Sequence, residues 1–269
     1  MLPAPTTAYP LDLLLSDYVL LGLAAVLAGL VDAVVGGGGL IQLPALFSVL
    51  PQTLPATLFG TNKLAAIWGT AVAARAYAKR LPLDWSIAIP AAAAALLCAF
   101  FGARAVSVFP PDVLRKALPF VLLAVAIYVF RRKDFGTEPV LDTPIFMTVA
   151  RKRGLALLIG GVIGFYDGFF GPGTGSFLIF LFVRVFYLDF LQASALAKVV
   201  NVACNFAALA WFGAAGYVIW QLGLMMAVCN VVGALIGTRL AIWGGAGLVR
   251  KLFLIVVGLL IIKTGINAY

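Results

Sequence analysis

The chain is a succession of long apolar runs separated by short polar or glycine-rich interruptions. The pattern predicts helices over 18–35, 57–77, 85–108 and 113–130, and later over 192–212, 220–243 and 248–267. Each approaches the roughly 20 residues that a helix needs to cross the hydrocarbon of a bilayer. Two runs are broken. The first meets Gly36–Gly39 and resumes as a short apolar piece, 40–50, closed by Pro51 and Pro55. The second runs from 154 to Gly171–Gly175 and on to 183, followed by a loop over 184–189. The most polar stretch, 131–153, has Arg131-Arg132-Lys133 at one end and Arg151-Lys152-Arg153 at the other. It divides the chain into a first repeat, 1–130, a basic linker, 131–153, and a second repeat, 154–269.

The two parts align without a gap at an offset of 135 positions: Gly29 on Gly164, Asp32 on Asp167, Gly36 on Gly171, Gly38 on Gly173, Lys63 on Lys198 and Arg104 on Arg239. Matches of Leu or Ala between apolar segments are cheap. Matches of Asp, Lys and Arg are not, because these residues are rare here, so the pattern indicates an internal duplication. Basic residues favour the cytoplasmic side of a membrane. That rule puts the loop carrying Arg75, Lys79 and Arg80 inside, together with the linker. The termini and the uncharged 213–219 loop then lie outside. Each broken hairpin leaves from and returns to one face, and the halves come out inverted. Arg104, Arg115 and Lys116 fall on the wrong side in this scheme.

The expected fold is therefore an all-α polytopic membrane protein with two inverted-topology repeats. Each repeat is a glycine-broken helical hairpin plus three transmembrane helices, giving about eight to ten membrane segments. Composition agrees: 64% of residues are hydrophobic and 11% charged. The net charge of +9 sits in short loops, so it reads as membrane orientation and not as a nucleic-acid surface. Residues 1–17 hold no Lys or Arg, unlike a cleavable signal peptide. The bacterial-type plasma (inner) membrane is the expected location. The three cysteines stand apart, and there is no histidine, so neither a metal site nor a cofactor is expected. An intramembrane enzyme would have only Lys–Asp chemistry to work with and is set aside. The glycine runs lack the Lys-Ser/Thr ending of a phosphate loop, which argues against an ATP-driven pump.

The paired Gly-x-x-Asp-x-x-x-Gly-x-Gly pattern at Gly29–Gly38 and Gly164–Gly173, with the duplication around it, resembles the TauE/SafE sulfite exporter family of membrane permeases. The resemblance implies secondary transport, in the export direction, of small sulfur-containing anions such as sulfite, sulfonates or sulfoacetate. Some members are linked to thiosulfate or organic acids. An anion channel or a permease for other small anions is the alternative. Broken helices suit an anion because their free N–H groups and positive dipole ends face the break, and glycine permits close approach. The bland reading of the glycines is tight helix packing.

The candidate substrate-binding residues are Gly36, Gly37, Gly38, Asn62, Lys63, Gly171, Gly173, Thr174, Lys198, Asn201 and Asn205. Thr61 and Ser194 could add hydroxyls. Lys63 and Lys198 lie deep in apolar spans, where a cation needs a cavity or a partner. They read as anion ligands, or as ion-pair partners of Asp32 and Asp167. Alanine at either lysine is expected to weaken anion binding and leave expression intact. The aspartates read either as caps of the glycine turns or as proton-coupling groups; capping is the commoner use. The remaining basic residues, such as Arg115, read as interfacial anchors or as anion-steering charges at the two mouths. The expected partners are a small anion and membrane lipid, without nucleic acid; the sequence gives no oligomeric state.

Overall fold

The computed structural model describes residues 13–131 and 147–244. These form α1 (Leu15–Val35), α2 (Gly39–Val49), α3 (Pro55–Ala78), α4 (Trp85–Ser107), α5 (Pro111–Arg131), α6 (Val149–Phe169), α7 (Thr174–Phe186), α8 (Phe190–Ala214) and α9 (Trp220–Ile242), with no strand among the described residues. Four of them, α1, α4, α8 and α9, are long and apolar enough to cross a membrane. The helix expected over 248–267 and most of the linker lie outside the described residues.

The helix ends follow local chemistry. Asp84 and Asp189 cap α4 and α8 by accepting from the N–H of Ser86 at 3.0 Å and of Gln192 at 2.8 Å. Pro55 occupies the first turn of α3, where a missing N–H costs nothing. Two boundaries differ from the sequence expectation. Thr148 starts α6 early, so Arg151, Lys152 and Arg153 sit on helix rather than in a loop. Arg184 likewise lies on α7, which continues to Phe186.

The most extensive helix pairings are α4 with α6 and α1 with α9, followed by α3 with α9 and α4 with α8. Small residues make them possible. A β-carbon on Gly237 would stand 2.3 Å from the Leu30 carbonyl oxygen, and one on Gly102 would stand 2.3 Å from that of Phe165. Such backbone-to-backbone approach is how helices associate in lipid, where no hydrophobic force drives them together. Contacts also fix relative direction. Gly22 lies by Met225 while Gly237 meets Leu30, so α1 and α9 run parallel. Gly160 meets Ala91 and Gly168 meets Ala99, so α6 and α4 run parallel. Leu64 touches Gly223 and Gly69 touches Asn230, so α3 and α9 run parallel. Arg115 donates to the carbonyls of Pro51 and, at 2.6 Å, of Thr53, pinning α5 to the α2–α3 turn.

Candidate functional site

The helical breaks are built from residues that readily leave a helix. Val35 ends α1, and Gly36 follows at φ +77° with its N–H bonded to the Asp32 carbonyl at 2.9 Å. That left-handed conformation favours glycine. In the second break Gly171 (φ +89°) and Gly173 (φ +77°) flank Pro172 before α7 begins at Thr174.

The breaks abut. The Gly36 carbonyl accepts from Ser176 N–H at 3.2 Å, and Ser176 Oγ donates to the Val35 carbonyl at 2.6 Å. A β-carbon on Gly36 would fall 2.3 Å from Gly175. A tyrosine braces each break by donating to a carbonyl near the helix end: Tyr77 to Ala33 at 2.9 Å and Tyr166 to Pro172 at 2.6 Å.

Beside this junction lies a cavity of about 30 Å³, room for about two waters. The N-terminal ends of α2 and α7 open on it through Gly38, Gly39, Thr174 and Gly175. Its charged groups are held in two pairs, each joining the two parts of the chain. Lys63 of α3 lies 2.5 Å from the Asp167 carboxylate of α6. Lys198 of α8 lies 2.9 Å from the Asp32 carboxylate of α1 and also donates to the Asp32 carbonyl. The 135-residue offset maps one pair onto the other with the halves exchanged.

The environments differ. Asp167 and Lys63 side chains are 2% and 4% exposed, whereas Asp32 is 15% exposed and Lys198 is sealed at 0%. Asp32 also faces Thr70 Oγ1 at 3.3 Å. Neither carboxylate accepts a hydrogen bond from a backbone N–H of its glycine turn among the described residues. Their side-chain partners among the described residues are the lysines and Thr70. Among the described residues each aspartate is the counter-ion of a lysine.

Of the residues singled out from sequence, Gly36, Gly38, Asn62, Lys63, Gly171, Thr174, Asn201 and Asn205 line the cavity with both aspartates. Three do not. Lys198 lies behind Asp32, and Gly37 is off the wall. Gly173 faces α5, where its β-carbon would meet Val125 at 2.3 Å. Thr61 and Ser194 are spent elsewhere. Thr61 Oγ1 donates to Thr57 and accepts from Ile219 N–H, while Ser194 donates to Phe190.

Sequence reasoning missed Gln42, Thr70 and Asn230, which also line the wall. Thr70 was discoverable, since it stands at the offset position of Asn205, two turns beyond its own lysine. Asn230 was not, because its offset partner is Ala95. Its amide donates to Gln42 Oε1 at 3.2 Å. Gln42 Nε2 and Asn62 Oδ1 are buried and unpaired within the described residues. A buried polar atom without a partner costs about 1–3 kcal/mol, so two of them on one cavity wall point to a polar guest.

Comparison with known proteins gives the family. The model described as Sulfite exporter TauE/SafE matches residues 21–264. A Sinorhizobium protein named "Probable membrane transporter protein ORF9" is 36% identical over 245 residues, covering 91% of each chain. "Probable membrane transporter protein YfcA" of Escherichia coli strain K12 is 36% identical over 234 residues, 86% of this chain and 83% of its own. A "Probable membrane transporter protein" of Haemophilus influenzae is 32% identical over 237 residues, 85% and 86% of the two chains. No solved structure matches significantly.

Proposed function

Since the chain belongs to the TauE/SafE sulfite exporter family and is a membrane transporter, we propose that it exports small sulfur-containing anions, sulfite or sulfonates among them, as a secondary transporter working by alternating access. The observation that carries this is the meeting of both helix breaks, the N-terminal ends of α2 and α7 and the buried Lys63 at one small cavity, with the Lys198–Asp32 pair beside it. Broken helices at a repeat interface are how secondary transporters present dipole ends to a substrate.

Two inverted repeats, 1–130 and 154–269, account for the packing. Helices α1 and α6 occupy equivalent positions. Helix α1 runs with α9 and α3, and α6 runs with α4, which returns antiparallel to α3 through the short turn at 79–84. The equivalent helices therefore run oppositely, which supports inversion over a parallel duplication. On this reading the linker is cytoplasmic, the termini face outside, and the membrane is the bacterial inner membrane. Arg115, which the charge rule alone misplaces, is occupied in holding the carbonyls of the 51–53 turn.

The small cavity favours a carrier over the anion channel: it has room for a single small ion. The test is flux of radiolabelled sulfite into proteoliposomes, together with a thermal-shift panel of sulfite, methanesulfonate, sulfoacetate, thiosulfate and small carboxylates. Saturable flux at carrier rates and a sulfur-anion shift are the expected results. Flux far above carrier rates and insensitive to any gradient refutes the carrier. A shift from carboxylates alone refutes the sulfur-anion assignment.

A further inference from the structure

The cavity is charge-balanced before any ligand enters. Lys63 and Lys198 contribute two positive charges, and Asp167 and Asp32 two negative ones. No arginine and no lysine besides Lys63 lines the wall among the described residues. The helix dipoles do not tip the balance. The positive ends of α2 and α7 are matched by the negative ends of α1 and α6 at the same breaks. An anion entering alone would leave a net negative charge buried at membrane depth, which is strongly disfavoured.

Resting on the anion-transport reading above, we propose that each monoanion enters with one proton, which Asp32 takes up, so that the loaded site is again neutral. The proton comes from water and forms an O–H bond on the Asp32 carboxylate; both lysines stay protonated. Asp32 is the carboxylate within reach. It lines the cavity and is 15% exposed, against 2% for Asp167. It can also lose its charge without orphaning its partner, because Lys198 keeps the Asp32 backbone carbonyl as an acceptor. Thr70 Oγ1, 3.3 Å away, is placed to accept from the new carboxyl proton.

The charged and titratable groups around Asp32 are few. From α3 come Lys63 and Tyr77, from α8 Lys198, and from α6 Asp167 across the cavity. The only charged side chains on α9 and α7, Arg239 and Arg184, are exposed, and α2 carries none. Lys63, the lysine on the wall, then meets the anion. The same balance sets selectivity. A dianion needs a second proton, and the remaining carboxylate, Asp167, is 2% exposed and held at 2.5 Å by Lys63. Sulfonates and hydrogen sulfite are therefore accepted ahead of sulfate.

The experiment uses the full-length protein in detergent and methanesulfonate, which stays ionised across the working pH range and brings no proton of its own. Calorimetric titration in two buffers of different ionisation enthalpy counts the protons taken up per anion bound. The expected result is about one, with apparent affinity falling about tenfold for each unit rise in pH. Sulfate binds more weakly than methanesulfonate at every pH. Asp32→Asn binds methanesulfonate with no proton uptake and no pH dependence. Binding by the native protein with no proton uptake overturns this inference and leaves the anion reading standing, even if Asp32→Asn does not fold. Uptake that persists in Asp32→Asn overturns the assignment to Asp32. Failure of methanesulfonate and sulfite to bind at any pH overturns the anion reading and this inference with it.

Discussion

Replacing Lys63 by Met tests whether the buried pairs hold the fold as well as the site. The substitution keeps length and apolar bulk but leaves the Asp167 carboxylate, 2% exposed, with no cation. Breaking a buried pair from one side costs about 3–5 kcal/mol, because the surviving charge is uncompensated. At about 2–4 °C per kcal/mol for a protein of this size class, the melting temperature should drop by about 6–20 °C. Lys152→Met is the comparison. It breaks a 3.2 Å pair with Asp84 whose side chains are 34% and 32% exposed, and such pairs are worth about 0–1 kcal/mol. The double variant Lys63→Met/Asp167→Leu removes both charges and should recover most of the loss, since an apolar replacement of a whole buried pair is close to neutral. The assay is thermal unfolding in detergent, followed by loss of the monodisperse peak. A Lys63→Met shift no larger than that of Lys152→Met refutes the reasoning, as does a double variant that melts lower than either single one. The pairing also revises the sequence expectation for alanine at Lys63 or Lys198. Lower stability is expected along with weaker binding, so binding has to be measured on the fraction that remains folded.

Three further outcomes follow from the geometry. Gly36→Ala puts a β-carbon 2.3 Å from Gly175 at a φ of +77° and should abolish the folded peak, whereas Gly154→Ala, with nothing within 4 Å of its β-carbon, should melt like the native protein. Arg115→Ala strips two carbonyls of the α2–α3 turn of their donor. It should cost about 1–3 kcal/mol and speed proteolysis between residues 50 and 54, read by fragment mass. Burial pushes the Asp84 carboxyl up, but hydrogen bonds from Ser86 and Lys152 and the Lys152 charge outweigh it, leaving the carboxyl below its ordinary range. Its stabilising contribution is therefore full above the ordinary carboxylate range and is lost as pH falls through the depressed folded value. The difference in melting temperature between native protein and Asp84→Asn should be steady near neutrality and vanish on acidification.

The helices were legible because lipid leaves little choice. Runs such as 85–108 can only be helices at membrane depth, and the structure places α4 at Trp85–Ser107. The breaks were legible because Pro172 forbids a regular helix and the four-glycine run at 36–39 disfavours one. The helix starts at Val149 and ends at Phe186 were not, because charged residues such as Arg151 and Arg184 look like loop until a cap or packing shows otherwise.

The offset matched four charges, Asp32, Lys63, Asp167 and Lys198, but did not show who pairs with whom. Within one half, Lys63 and Asp32 are separated by a single hairpin and look like natural partners. The chain pairs them across halves instead, because α1 packs on α9 and α6 on α4, each half lending its first helix to the other. That exchange depends on backbone approach at glycines such as Gly237 and Gly102, and no periodicity reports it. It has a mechanical consequence. With both ion pairs spanning the halves, neither half can move relative to the other without straining or releasing a lysine–carboxylate contact. A guest that neutralises or displaces one carboxylate therefore acts on the same bonds that hold the halves together. On the proposed alternating-access reading, binding and movement would be coupled at Lys63–Asp167 and Lys198–Asp32, as a differential affinity between two conformations requires.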